Sequence, residues 1–249
     1  MKEGGNMVNK VNLSVFKDKS YIKRDTLIQV IKEQTNYNKD SSIRWVIYQL
    51  VKEGTITKVD NHFFYKGFLR KYKQKNMSTI KRRISDLLKK NYPDIDAVIY
   101  ESTILNEWLN HQITQNVIFV EVEKYFMGPI FEYLKNELNI PILINPSVGD
   151  YYRYVVDNII IVTQLITQTP KTKHGYDIKI EKLIVDLYAN NLLKEFVSED
   201  EHSNILQSMY QTYVVNNKTI LAYAKRRNLE NVVKEDVAEY RSKEGDKLD

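Results

Sequence analysis

Apolar residues recur at helical spacing in the first ninety positions and gather afterwards into short β-branched runs, so the chain predicts two architectures in series. Residues 8–16 form a short apolar patch of helical type, closed by the polar run 17–20. Arg24–Gln34 puts Leu27, Ile28, Val30 and Ile31 on one face and stops at the polar run 35–40. The next segment has the clearest pattern. Behind a cap at Asp40 or Ser41, Ile43, Val46, Ile47, Leu50 and Val51 recur at i, i+3, i+4, i+7 and i+8, and Gly54 closes the helix. Two β-prone runs follow, 55–59 and 62–65, turned at Asp60 and Asn61. Three helices and a hairpin predict a winged helix-turn-helix over residues 8–66.

Beyond a connector, residues 67–77, Ser78 caps a helix to Asn91 with Ile80, Ile84, Leu87 and Leu88 apolar and Lys81, Arg82 and Arg83 on its solvated side. Strand patterns at 97–100, 117–122, 141–144 and 158–162 alternate with helical ones at 104–109 and 125–138. From Ile178 onward the pattern is helical, with Ile180, Leu183, Ile184 and Leu187 on one face and two or more further helices reaching Arg227. The expected fold is therefore α+β or α/β: a winged helix, then an α/β domain over 78–228 with about four strands and a helical C-terminal part. Residues 229–249 read as a charged tail, frayed beyond Tyr240.

Charge sharpens this division. Residues 1–90 hold 21 Lys and Arg against 8 Asp and Glu, and the remainder holds 16 against 24, so a basic head precedes an acidic body. Such a head fits a polyanion. Hydrophobic residues at 43% are enough for real cores, and the absence of cysteine excludes disulfides and thiolate metal sites. No apolar run reaches the roughly 18 residues of a membrane span, and the N-terminus lacks a signal-peptide core, so a cytoplasmic protein without membrane partners is expected.

In a winged helix the third helix enters the major groove. Its core stripe leaves Ser41, Ser42, Arg44, Trp45, Tyr48, Gln49 and Lys52 facing out, while Lys58, His62 and Lys66 decorate the wing. Arg and Gln read base edges; Ser, Tyr and Lys suit phosphate and sugar. Trp45 fits a boundary core position as well as a DNA contact. A winged helix can also dock proteins, but the positive surplus favours nucleic acid, whose backbone neutralisation dominates affinity. Arg70, Lys71, Lys73 and Lys75 in the connector fit phosphate tracking and a solvated linker equally.

The body carries five ordered strings: Ile99-Tyr-Glu-Ser-Thr103, Phe119-Val-Glu-Val-Glu-Lys124, Leu143-Ile-Asn-Pro146, Glu181-Lys-Leu-Ile-Val-Asp-Leu187, and Tyr213-Val-Val-Asn-Asn217 with Leu221-Ala-Tyr-Ala-Lys-Arg-Arg227. Together with the head they resemble the AbiEi-type antitoxin family of bacterial type IV toxin–antitoxin systems linked to abortive phage infection, over residues 10–227. The resemblance implies an autorepressor that binds double-stranded operator DNA at inverted repeats. It also implies an antagonist of a nucleotidyltransferase-type toxin that forms no stable complex with it. Connector and wing are longer here than in the shortest family members.

Other chemistries are weighed against this. Pro93-Asp94 and Glu121-Val-Glu-Lys124 are similar to a PD-(D/E)xK nuclease pattern, whose carboxylates hold a divalent metal. Strand alternation puts Glu121 and Glu123 on one face and Lys124 on the other, so the lysine is out of register. The bland reading is that both glutamates cap or ion-pair at a strand end. Asp94-Ile-Asp96 lacks the Gly-Ser turn of a nucleotidyltransferase. His62, His111, His174 and His202 lack metal-ligand spacing, and no phosphate-binding glycine loop or nucleophile elbow is present, so no cofactor is expected. Lys225, Arg226 and Arg227 suit the C-terminal end of a helix dipole better than nucleic acid. Asp186, inside an apolar helix, reads as a structural hydrogen-bond acceptor or the partner of a nearby base, with catalysis the minor reading. A regulator whose body senses a ligand or protein is the third reading.

Overall fold

The structure, a computed structural model, describes residues 11–16, 21–35, 37–52, 55–59, 62–65, 70–75, 77–154, 156–172 and 175–245. Two compact units emerge. The first comprises Met1–Lys71, Met209–Asn217 and Val237–Asp249, and the second Tyr72–Ser208 and Lys218–Asp236.

In the first unit Leu13–Phe16 is a 3-10 turn, not the α-helix expected over 8–16, and buries Leu13 and Phe16. Strand β1 (Ile22–Lys23) runs straight into helix α1 (Arg24–Gln34), followed by α2 (Asp40–Lys52) and the hairpin β2 (Ile56–Val59) and β3 (His62–Tyr65). The sheet has order β1-β3-β2 and is antiparallel throughout, with Ile22 opposite Phe63. The two residues of β1 are too short to give a period-two signal. The Ser42 and Ile43 amides donate to the Lys39 carbonyl, so α2 opens before the expected cap and Asp40 lies in its first turn, beside the positive dipole end. At its other end the Thr55 amide returns to the Leu50 carbonyl. Leu27 and Ile31 from α1, Ile43, Val46, Ile47 and Leu50 from α2, and Ile22, Ile56 and Phe63 from the sheet make one core. Gly54, the Asp60–Asn61 turn, residues 17–20, Lys66 and His174 lie outside the described residues.

The second unit is built on a mixed four-stranded sheet of order β4-β5-β7-β6. Its strands are β4 (Ala97–Glu101), β5 (Asn116–Val122), β6 (Ile142–Ile144) and β7 (Asn158–Gln164); β4 is antiparallel to β5, and the other pairings are parallel. Ser78 caps α3 (Thr79–Asn91) by accepting the Lys81 amide, as expected. Ile84 and Leu88 of α3, with Met127, Ile130 and Leu134 of α4 (Met127–Glu137), cover one sheet face through Ile99, Ile118, Val120 and Ile160. Alternation sends Phe119 and Glu121 to the opposite face, towards α6 (Ile180–Ala189).

The helix expected over 104–109 is a 3-10 segment, Ser102–Glu107. Ser102 Oγ accepts the Val117 amide at 3.0 Å and Asn106 pairs with both backbone groups of Ile113, so local side-chain bonds compete with the α-helix. An unanticipated helix, α5 (Val148–Tyr154), starts at Ser147, whose Oγ accepts the Asp150 amide while Asp150 Oδ2 accepts the Ser147 amide. Helices α7 (Asn191–Lys194), α8 (Glu199–Thr212), α9 (Asn217–Arg226) and α10 (Glu230–Gly245) complete the chain. The last is helical, with Val233 and Val237 buried, where a charged tail was expected. Among the described residues no helix is long and apolar enough to cross a membrane.

Candidate nucleic-acid interface

Helix α2 brings seven of the sequence-predicted residues onto one outer surface. Ile43, Val46, Ile47 and Leu50 are buried, and this fixes the helix rotation. Ser41, Arg44, Trp45, Tyr48 and Lys52 are consequently exposed and Ser42 and Gln49 half-buried. Trp45 is 46% and Tyr48 60% exposed, so neither ring is enclosed in the core beneath α2. Among the described residues the Arg44, Trp45, Tyr48 and Lys52 side chains have no hydrogen-bond or ion-pair partner.

The hairpin is less uniform. Lys58 on β2 is exposed, whereas His62 opens the central strand β3 half-buried, its ring edge-on to Tyr21 at 4.6 Å. Exposed Lys23, Arg24, Lys32 and Lys39 add cations to the same unit. The connector is no free linker. Arg70 bridges in parallel to Tyr213, its amide donating to the Thr212 carbonyl and its carbonyl accepting from Val214, while Lys71, Lys73 and Lys75 are exposed.

Sequence reasoning missed two buried lysines. Lys81, expected on the solvated side of α3, is 1% exposed; its Nζ donates to Gln74 Oε1 at 2.6 Å and Asp177 Oδ1 at 2.7 Å. Burial lowers its pKa, and Asp177 partly offsets this. Its spacing from Ile84 and Leu88, i+3 and i+7, was the available signal. Lys182 is fully buried in α6, its Nζ on Glu121 Oε1 at 2.8 Å and on Asp186 Oδ2, and over the rings of Tyr100 and Tyr223 at 5.2 and 5.6 Å from their centres. Tyr223 donates to Asp186 at 3.2 Å, Tyr100 to Glu121 at 3.1 Å, and Asn190 Nδ2 to the Tyr100 hydroxyl at 3.1 Å. Burial alone would lower the Lys182 pKa, but the Asp186 and Glu121 carboxylates hold it above its ordinary value. Burial raises the Glu121 carboxyl above its ordinary value; the Lys182 ammonium opposes the rise and Asp186 adds to it. Burial and the neighbouring carboxylates push the Tyr100 phenol well up and Tyr223 to about 12.

This cluster recasts the nuclease pattern. Strand β5 ends at Val122, so Glu121 and Glu123 do not share a face: Glu121 is buried on Lys182, and Glu123 is exposed ahead of a 3-10 turn that begins at Lys124. An ammonium group occupies the space between the carboxylates that a metal would need. Asp94 is exposed in a turn and Asp96 pairs with Lys171. Among the described residues no three His, Cys, Asp or Glu side chains converge on a metal position. His111 meets Glu201 at 3.4 Å, and His202 is edge-on to Tyr188 at 4.6 Å. Lys225 and Arg226 end α9, with Arg226 donating to Gln168 at 2.8 Å.

A search of curated proteins finds no match. A family of unknown function (DUF6577) matches residues 42–243, most of the chain, and the chain belongs to that family.

Proposed function

We propose that this member of an uncharacterised family is a cytoplasmic DNA-binding antitoxin and transcriptional autorepressor of a type IV toxin–antitoxin operon. In this reading its first unit holds double-stranded operator DNA as a winged helix with α2 as recognition helix. One observation carries the DNA half: α2 presents Ser41, Arg44, Trp45, Tyr48 and Lys52 outward, without side-chain partners among the described residues, on a unit rich in exposed cations. The antitoxin half, and the nucleotidyltransferase-type toxin as functional partner, rest on the resemblance of the body's five strings. The body is taken as non-enzymatic, because Glu121 and Asp186 are closed against Lys182 away from solvent.

Purified protein should select a duplex from a random pool, with log affinity falling against log salt by about 0.9 for each phosphate neutralised. Arg44→Ala should weaken specific binding more than non-specific binding; equal losses would make Arg44 a phosphate contact. Failure to retain any duplex at low salt would overturn the DNA half. The antitoxin half is checked by co-expression with a nucleotidyltransferase encoded beside it, and absence of growth rescue would overturn that half alone.

A further inference from the structure

The outer face of α2 carries two large exposed rings along its midline. At 100° per residue, Ser41, Trp45, Tyr48 and Lys52 line up along the middle of that face, with Arg44 on one flank and Ser42 and Gln49 on the other. The two rings stand opposite Ile43, Val46, Ile47 and Leu50, so they cannot turn into the core without rotating the helix out of it. An indole and a phenol offer one polar atom each on a large apolar body. Phosphates are better met by the exposed cations at the two ends of the helix, Lys39 just before it and Lys52 at its last residue. In the major groove the one apolar group on a base edge is the thymine 5-methyl.

Resting on the DNA reading above, we infer that Trp45 and Tyr48 read thymine methyl groups in the major groove, with Arg44 and Gln49 reading polar base edges beside them. The two ring-bearing positions are about 4.5 Å apart along the helix axis, so they address one base step or two, not the whole site.

Duplexes selected from a random pool are resynthesised with deoxyuridine replacing thymidine one position at a time, which removes only the methyl group. Binding is compared at low salt, where phosphate contacts keep every variant on DNA. Wild-type protein should lose about fourfold in affinity for each contacted methyl, the equivalent of one buried CH2 group. That penalty should vanish in Trp45→Ala or Tyr48→Ala. In Arg44→Ala it should persist although overall affinity drops. A site without a deoxyuridine penalty, or a penalty unchanged in both ring variants, overturns the inference and leaves DNA binding intact. If no duplex is selected at all, the DNA reading itself fails and takes this one with it.

Discussion

Lys182 illustrates what a single residue can commit a fold to. The ordered strings of the body supply Tyr100, Glu121, Lys182, Asp186 and Tyr223, residues far apart in sequence, and the structure gathers all five into one buried polar centre. Two carboxylates share one ammonium there. Lys182→Met should therefore leave Glu121 and Asp186 without a counter-charge and destabilise the protein by about 3–5 kcal/mol in urea denaturation. Glu121→Gln should cost far less, because it leaves Lys182 and Asp186 paired one to one. The two variants also differ in pH response. Because the folded Glu121 carboxyl titrates above its unfolded value near 4.5, the native state binds more protons between the two values, and stability falls as pH rises through that window. Glu121→Gln should flatten the fall. An unchanged pH profile would mean that Glu121 is ionised in the folded protein.

At the scale of elements, what was legible is what a regular period writes down. The stripe from Ile43 to Leu50 located α2 and its outer face, and β-branched runs located the strands of the second sheet. Several features escaped, α5 among them. Lys81 and Lys182 sit at core positions of their helices, and a lysine reads as solvent-facing until its acceptor is known; Asp177 and Glu121 are 96 and 61 residues away. The β1 strand is two residues long, and α10 is so richly charged that two valines four apart hardly register. That last helix offers a direct check. Val233 is 1% exposed and Val232 50%, on adjacent positions of α10. Val233→Asp should lower the urea midpoint, since it buries an unpaired carboxylate, whereas Val232→Asp should stay within about 0.5 kcal/mol of wild type. Equal effects would return these residues to a loosely held tail.

For the whole molecule, the charge boundary and the packing boundary differ. Charge divides the chain near residue 90, while the first compact unit closes at Lys71 and recruits Met209–Asn217 and Val237–Asp249 from the far end of the chain. Composition could not reveal this, because the link is made by backbone: Arg70 pairs with Tyr213, and Tyr213 and Val215 are buried. A cut in the connector is therefore not a cut between units. A fragment of residues 78–249 should lose the backbone partner of residues 212–214, expose Tyr213 and Val215, and be cleaved within 209–217 under limited proteolysis that leaves the full chain intact. Point substitution should separate the activities where truncation cannot. Arg44→Ala with Lys52→Ala alters two exposed side chains without a partner among the described residues, so on the proposed reading it should abolish operator binding at physiological salt, keep the wild-type urea midpoint, and still rescue growth against the proposed toxin. Loss of rescue in that folded variant would show that toxin control runs through DNA, and the body would then hold no antitoxin activity of its own.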